Sequence, residues 1–271
     1  MPESNKPFHR ILLTGAAGGL GRVLRDRIHP WADLVRLSDI AGLGEARPGE
    51  ELAYCDLSDR AGMLKLLDGV DAVLHFGGVS TEQAWAPILD ANIAGVHYLY
   101  EAALKAGVRR IVFASSNHAI GFHQTTTRLD ADSPTRPDGL YGISKVFGEQ
   151  LSRYYFDRFG LETVCIRIGS AFPEPKTRRM MSTFLHYDDL VELLRCALMT
   201  PRVGHTIVYG VSDNDAAWWD NSKAGHLGYR PRRSSREFND LFPDSGEYPA
   251  ESDIASRYQG GPFVVTGPFY D

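Results

Sequence analysis

The chain has 271 residues, 43% of them apolar, 23% charged and 11% aromatic, with a formal net charge of −5. That composition suits one large globular domain, or one and a half at about 150 residues each, and excludes collagen-like, coiled-coil and low-complexity chains. A net negative chain offers no positive field to a nucleic acid backbone, and no apolar run nears the roughly 20 residues that span a bilayer, so neither nucleic acid nor membrane is an expected partner.

The first segment, MPESNKPFHR, has no long apolar core behind its charges and is read as the start of a cytoplasmic protein. From there, short leucine-rich or β-branched runs alternate with longer stretches of helical spacing: ILLTG then GGLGRVLRDRI; LVRLSD; LAYCDL then RAGMLKLLDGV; AVLHFGG then ILDANIAGVHYLYEAALKAG; RIVFASS. This alternation predicts an α/β fold, a doubly wound parallel sheet covered by helices. In the longest helical stretch Ile88, Leu89, Asn92, Ile93, Val96 and Leu99 recur at spacings that predict one apolar face packed on the sheet. After the polar HQTTTRLDADSPTRPDG come a predicted helix from Tyr141 to about Phe159, a strand TVCIRIG, a helix from about His186 to Met199 and a strand HTIVYG. Beyond residue 210 the pattern gives way to Trp-, Gly-, Pro- and Arg-rich sequence with one short helix near Ser234 to Leu241. Residues 1–271 are therefore read as a single compact domain, with the part from about 170 supplying most of a substrate pocket. The three cysteines, Cys55, Cys165 and Cys196, are an odd set in apolar surroundings and read as reduced core thiols.

Thr14-Gly15-Ala16-Ala17-Gly18-Gly19-Leu20-Gly21 follows the first strand and opens the first helix, the setting a phosphate-binding turn requires. Gly15 allows the tight turn, Gly18 lets the backbone approach a pyrophosphate, and Gly21 permits close helix packing. Asp39 ends the next strand, where a carboxylate accepts from an adenosine ribose and repels a 2′-phosphate, favouring NAD over NADP. Tyr141 and Lys145, four apart at a helix start, share one face, and Ser116 ends a neighbouring strand. A nearby ammonium favours the phenolate of a tyrosine and so makes it a usable base.

These residues resemble the extended short-chain dehydrogenase/reductase family, the NAD-dependent epimerases and dehydratases. The likeness covers roughly residues 10 to 200: the TGxxGxxG turn with Gly19 and Leu20, Asp39, Asp56-Leu57, the Tyr141/Lys145 pair and Phe184-Leu185-His186-Tyr187-Asp188-Asp189. The resemblance implies a Rossmann-type fold, Tyr141 as catalytic base, Lys145 on the nicotinamide ribose, Ser116 on the reacting oxygen, and Asn92 supporting the cofactor site. Two departures, His75-Phe76-Gly77-Gly78 and Ser170, sit beside the expected site and weaken transfer of the commonest family substrate. Phe113-Ala-Ser-Ser-Asn-His118, Ile168-Gly-Ser-Ala-Phe-Pro-Glu-Pro175 with Arg179, and Trp218-Trp219-Asp220-Asn221-Ser222 are similar to the uronate-oxidising branch of that family. That likeness implies NAD-dependent oxidation of D-glucuronate or D-galacturonate at C1 to the aldaric acid lactone. It places Ser80, Ser116, Asn117, His118, Ser170 and Arg179 around the small uronic acid and Phe76, Gly77, Gly78 and Ala171 beside NAD. It also implies a homo-oligomer paired through helices near 88–106 and 141–159. A planar guanidinium suits the substrate carboxylate; Arg178 and Arg179 both offer one, and the resemblance selects Arg179.

Two other functions fit the same motifs: a sugar-nucleotide epimerase or dehydratase with tightly held NAD, and a non-catalytic NAD sensor. Other features are given structural readings. His118 and His123 lack a third metal ligand, Arg230-Pro-Arg-Arg233 and Arg236 read as a solvated helix start, the paired tryptophans as a C-terminal brace, and His186 with Asp188 and Asp189 as packing and hydrogen bonding. Gln259-Gly-Gly-Pro-Phe263 has the composition of a flap over the site.

Overall fold

The first strand, β1 (Phe8–Thr14), carries Ile11, Leu12 and Leu13, all fully buried, as a strand covered on both faces demands. The computed structural model describes residues 6–242 and 253–271; the reading of the N-terminal segment rests partly on residues 1–5, outside that range. After β1 come α1 (Gly19–Arg25), β2 (Ala32–Asp39), β3 (Glu50–Tyr54), α2 (Arg60–Leu66), β4 (Ala72–His75), α3 (Trp85–Ile88), α4 (Gly95–Ala106) and β5 (Arg110–Ser116). The second half adds α5 (Leu140–Phe159), β6 (Glu162–Ile168), β7 (Ser170–Ala171), α6 (Met180–Thr183), β8 (Phe184–Leu185), α7 (Tyr187–Met199), β9 (His205–Gly210) and α8 (Ile254–Arg257).

Among the described residues, seven strands form one parallel sheet in the order β3-β2-β1-β4-β5-β6-β9. Leu24, Ile28, Leu190, Leu193 and Leu194 cover one face; Met63, Leu99, Tyr100 and Tyr155 cover the other. This is the expected Rossmann-type doubly wound sheet. Strand order reverses between β1 and β4, and such a switch point opens a crevice at the carboxyl ends of the strands. The three cysteines are buried and free, and no helix of the described residues is long and apolar enough to cross a membrane.

One predicted element differs. The long helical stretch is interrupted by a π turn at Leu89–Ala94, between α3 and α4. A π turn inserts an extra residue and rotates the helix beyond it. Ile88, Asn92, Val96 and Leu99 stay buried, while Leu89 is 36% exposed and Ile93 half-buried. The short helix near Ser234 is a 3-10 segment, Ser235–Leu241, opened by a capping box between Ser234 and Glu237.

A buried ion pair fixes α5 on the sheet. Glu149 accepts from Arg167 Nε at 2.9 Å and Nη2 at 2.8 Å, and from Ser115 Oγ at 2.7 Å. Arg167 also donates to the Tyr209 hydroxyl at 3.2 Å. Burial alone would lower the Arg167 guanidinium, but the bonds to Glu149 outweigh it and hold it above its usual range.

Candidate active site

A cavity of about 960 Å³ opens at the carboxyl end of the sheet. Its nucleotide end is built from glycines whose lack of a side chain is a steric requirement. Gly15 has φ +70°, and a Cβ there would stand 2.5 Å from the Phe76 carbonyl carbon; at Gly21 it would stand 2.1 Å from Gly15 O. A Cβ on Gly19 meets nothing within 4 Å, so the turn's outer rim lies open. No side chain caps α1, whose first N–H groups are therefore available to an anion. Asp39 stands beside them, its two oxygens accepting from Ala17 N and Ala41 N at 2.9 Å each. Asp56, Leu57, Phe76, Gly77 and Gly78 complete this wall. An open glycine rim, free N–H donors and a fixed carboxylate together fit NAD.

At the centre, Tyr141 is the second residue of α5 and Lys145 lies one turn on. Lys145 Nζ donates to Ala114 O at 3.0 Å and sits 5.4 Å from the centroid of the Tyr141 ring. Ser116 Oγ accepts from His118 N at 3.1 Å, and the Ser116 hydroxyl is placed to favour the Tyr141 phenolate. Both key groups are driven toward neutrality by burial. Desolvation pushes the Tyr141 phenol up to about 12, against the Ser116 hydrogen bond, and pulls the Lys145 ammonium down to about 8. The sequence predicts a tyrosine lowered by its lysine; in the protein alone, burial prevails.

The far end holds Ser80, Asn117, His118, Ser170 and Arg179, and Ala171 also lines the cavity. Ser170 Oγ pairs with Thr183 Oγ1 at 2.8 Å. His118 Nδ1 meets Asp138 Oδ2 at 2.7 Å, and its ring stacks on Phe263 with centroids 3.8 Å apart. Arg179 donates to the backbone carbonyl of Gln259 and lies 5.6 Å from the Trp218 ring centroid, while its buried Nε has no partner. Desolvation pulls its guanidinium down to about 10, partly offset by the Asp138 charge.

The glycine-rich segment is closed over this end and pinned there. Gln259 is fully buried; its side chain accepts from Trp219 Nε1 at 2.8 Å and donates to Gln124 O at 3.1 Å and Thr127 O at 2.8 Å. Gly260, Pro262 and Phe263 line the cavity. The tryptophans thus act as the predicted brace, and His186 as an N-cap accepting from Asp188 N at 3.1 Å. His118 and His123 take separate partners, His123 Nε2 pairing with Pro134 O at 2.7 Å.

Every catalytic, cofactor or sugar-binding residue expected from the sequence lines this cavity except Asn92. Expected at the cofactor, Asn92 lies behind the wall, with its side chain bonded to Val79 N, Val79 O and Ser144 Oγ. Sequence reasoning missed Asp138 and Glu82; it marked Gln259 to Phe263 as a flap but gave neither residue its partner in the site. The glycines that follow Gln259 and Asp138 were the available signal: a Cβ at Gly260 would stand 1.9 Å from Asp138 Oδ2, and one at Gly139 2.3 Å from Glu82 Oε2.

Comparison with known proteins agrees with this geometry. The model of the NAD dependent epimerase/dehydratase family matches residues 11–185. A uronate dehydrogenase from Pseudomonas putida is 56% identical over 264 residues, 97% of this chain and 98% of that protein. A solved uronate dehydrogenase from Agrobacterium tumefaciens, a tyrosine-to-alanine variant complexed with NAD, is 46% identical with a TM-score of 0.94, covering 97% of this chain and 100% of its own. A glucuronic acid dehydrogenase from Chromohalobacter salexigens is 48% identical with a TM-score of 0.93, covering 96% and 97%.

Proposed function

The chain belongs to the NAD dependent epimerase/dehydratase family and, within it, to the uronate dehydrogenases; from that premise we propose that it oxidises D-glucuronate and D-galacturonate at C1 to the aldaric acid lactone. Bound NAD supplies the hydride acceptor. In the cyclic uronate, C1 carries both the hydroxyl and the hydrogen that are lost, so oxidation there yields the lactone directly. Tyr141 removes the hydroxyl proton, Ser116 holds the oxygen, and the Lys145 ammonium favours the phenolate that burial opposes. Arg179 takes the carboxylate in two parallel hydrogen bonds, exchanging the Gln259 carbonyl for a charged partner. Ser80 and Ser170 stand beside it; Asn117 and His118 read the sugar hydroxyls.

The observation that carries the reading is that the Arg179 guanidinium and the Tyr141–Ser116 pair line one cavity. Gly15, Gly18, Gly19, Leu20, Gly21, Asp39, Asp56, Leu57 and Phe76 hold NAD at the other end, with Gly77, Gly78, Lys145 and Ala171 toward its nicotinamide. The single domain works as a cytoplasmic homo-oligomer, paired through the faces of α4 and α5; Ile143, Tyr154 and Phe159, all exposed on α5, support that pairing. The test is NADH appearance with NAD⁺ and glucuronate, galacturonate, glucose or a UDP-sugar. Signal on the two uronates alone is expected; silence on all four with NAD still bound favours an epimerase or a sensor.

A further inference from the structure

We propose that Glu82 is a positioning residue that ties Tyr141 to the loop carrying Ser80, an inference that rests on the reading of Tyr141 as the base. Glu82 follows Ser80 by two residues, between β4 and α3. Its Oε1 accepts from Leu140 N and its Oε2 from Tyr141 N, both at 2.8 Å. These are the first two N–H groups of α5, which no intrahelical carbonyl can satisfy. The residue before them, Gly139, has no side chain to cap them, and a Cβ there would stand 2.3 Å from Glu82 Oε2. The cap is therefore delivered from 58 residues upstream, through a gap that only glycine leaves open.

The carbonyl of Tyr141 leads back to the same loop. It accepts from Ser144 Oγ at 2.7 Å, which accepts from Asn92 Nδ2 at 3.0 Å. Asn92 in turn donates to Val79 O at 2.9 Å and accepts from Val79 N at 2.8 Å. Both backbone polar groups of Tyr141 are thus held by residues 79 and 82, with Ser80 between them. The π turn at Leu89–Ala94 contains Asn92 and sets its register in this circuit. A helix propensity alone would form α5; the circuit fixes where its second residue stands over Ser116 and how far that residue lies from Ser80.

The test compares wild type with Glu82→Ala and with Glu82→Gln, which keeps the shape and one acceptor. Uronate kcat and KM, the pH profile of kcat, the Kd of NAD by fluorescence and the Tm are measured together. Glu82→Ala is expected to lower kcat roughly 100-fold, the cost of misplacing a reacting group by about 1 Å. The acid limb of its kcat profile shifts from the wild-type position, because Tyr141 no longer stands at its fixed distance from Ser116 and Lys145, and its Kd for NAD stays within about twofold, because glycine-turn contacts are untouched. Glu82→Gln falls between the two in kcat and carries the test if Glu82→Ala does not fold. Variants that lose Tm but keep wild-type kcat and pH profile make Glu82 a plain helix cap and overturn the proposal. That result beside an active wild type leaves the functional reading standing; a wild type silent on uronates overturns both.

Discussion

Nδ1 of His118 lies 2.7 Å from Oδ2 of Asp138, while the other oxygen of that buried carboxylate has no hydrogen-bond partner. The contact places the Nδ1 proton between the two residues and fixes the orientation of the ring that lines the cavity. Asp138→Ala frees the ring, and uronate KM is expected to rise about tenfold with the Kd of NAD unchanged. His118→Ala combined with Asp138→Ala is expected to be no worse than His118→Ala alone, since the carboxylate acts through the ring. Additive losses in steady-state kinetics would mean that Asp138 acts on its own.

Tyr141→Phe removes only the hydroxyl proposed as the base. Turnover is expected to fall at least about 100-fold, the lower end of what a positioned base contributes, with NAD binding retained. Because burial holds the phenol high, near 12, the wild-type rate is expected to climb with pH through the neutral range as the bound complex ionises it. A residual rate in Tyr141→Phe that keeps the same pH dependence would assign the base elsewhere.

Arg179→Ala is expected to raise uronate KM about 10- to 150-fold, equivalent to about 1.5–3 kcal/mol for a hydrogen bond to a charged group. The kcat changes little, because the carboxylate is bound alike before and during reaction. Arg179→Lys recovers part of the affinity, lacking the planar fork. An unchanged KM in initial-rate assays would show that the carboxylate is read by other groups.

Lys145 illustrates activity set against stability. Its folded pKa, about 8, is below the ordinary 10.5, so between those values the unfolded chain holds more protons and stability rises with pH. Below pH 8 the full penalty applies, up to about 3 kcal/mol at about 1.4 kcal/mol per unit. Without cofactor, Lys145→Met is expected to melt at a higher temperature than wild type at pH 7, the gap narrowing by pH 9.5, and to form no NADH. A lower melting temperature at pH 7 would show the ammonium to be well compensated.

Glu149→Gln leaves the Arg167 charge inside the protein with an incomplete partner. Breaking a buried pair costs about 3–5 kcal/mol, whereas replacing both members with apolar side chains is often near neutral. Denaturant melts of Glu149→Leu with Arg167→Met are therefore expected to show much of the loss recovered. Equal destabilisation by the single and double changes would argue that Ser115, which loses its carboxylate acceptor in both, dominates.

Legibility in the sequence divides along a physical line. Strands such as Ile11-Leu12-Leu13 and the Gly15–Gly21 turn are local patterns, dictated by burial period and backbone sterics, and they can be read directly. So can Tyr141 and Lys145, whose spacing puts them on one helix face. The apolar stripe through Leu89 misleads because a π turn is a tertiary adjustment that changes phase without changing composition. Glu82 and Asp138, and the anchoring role of Gln259 within its flap, are invisible for a related reason: each acts through partners 20 to 142 positions away, a separation that leaves no period. Asn92 stands out in the sequence, but its partners are the wall rather than the cavity.

The Gln259 anchor also bears on how the pocket comes into being during synthesis. The glycine turn, Tyr141, Lys145 and Arg179 all precede the roof, and the sheet can close without residues 254–265. A nascent chain therefore holds its glycine turn before the roof over Arg179, and a chain clipped ahead of Tyr258 keeps the sheet strands but leaves the Trp219 indole N–H, the Asn117 amide and Arg179 without the Gln259 acceptors they share. The roof over the Arg179 end of the cavity is the last part of the site to be made and the first that C-terminal trimming removes.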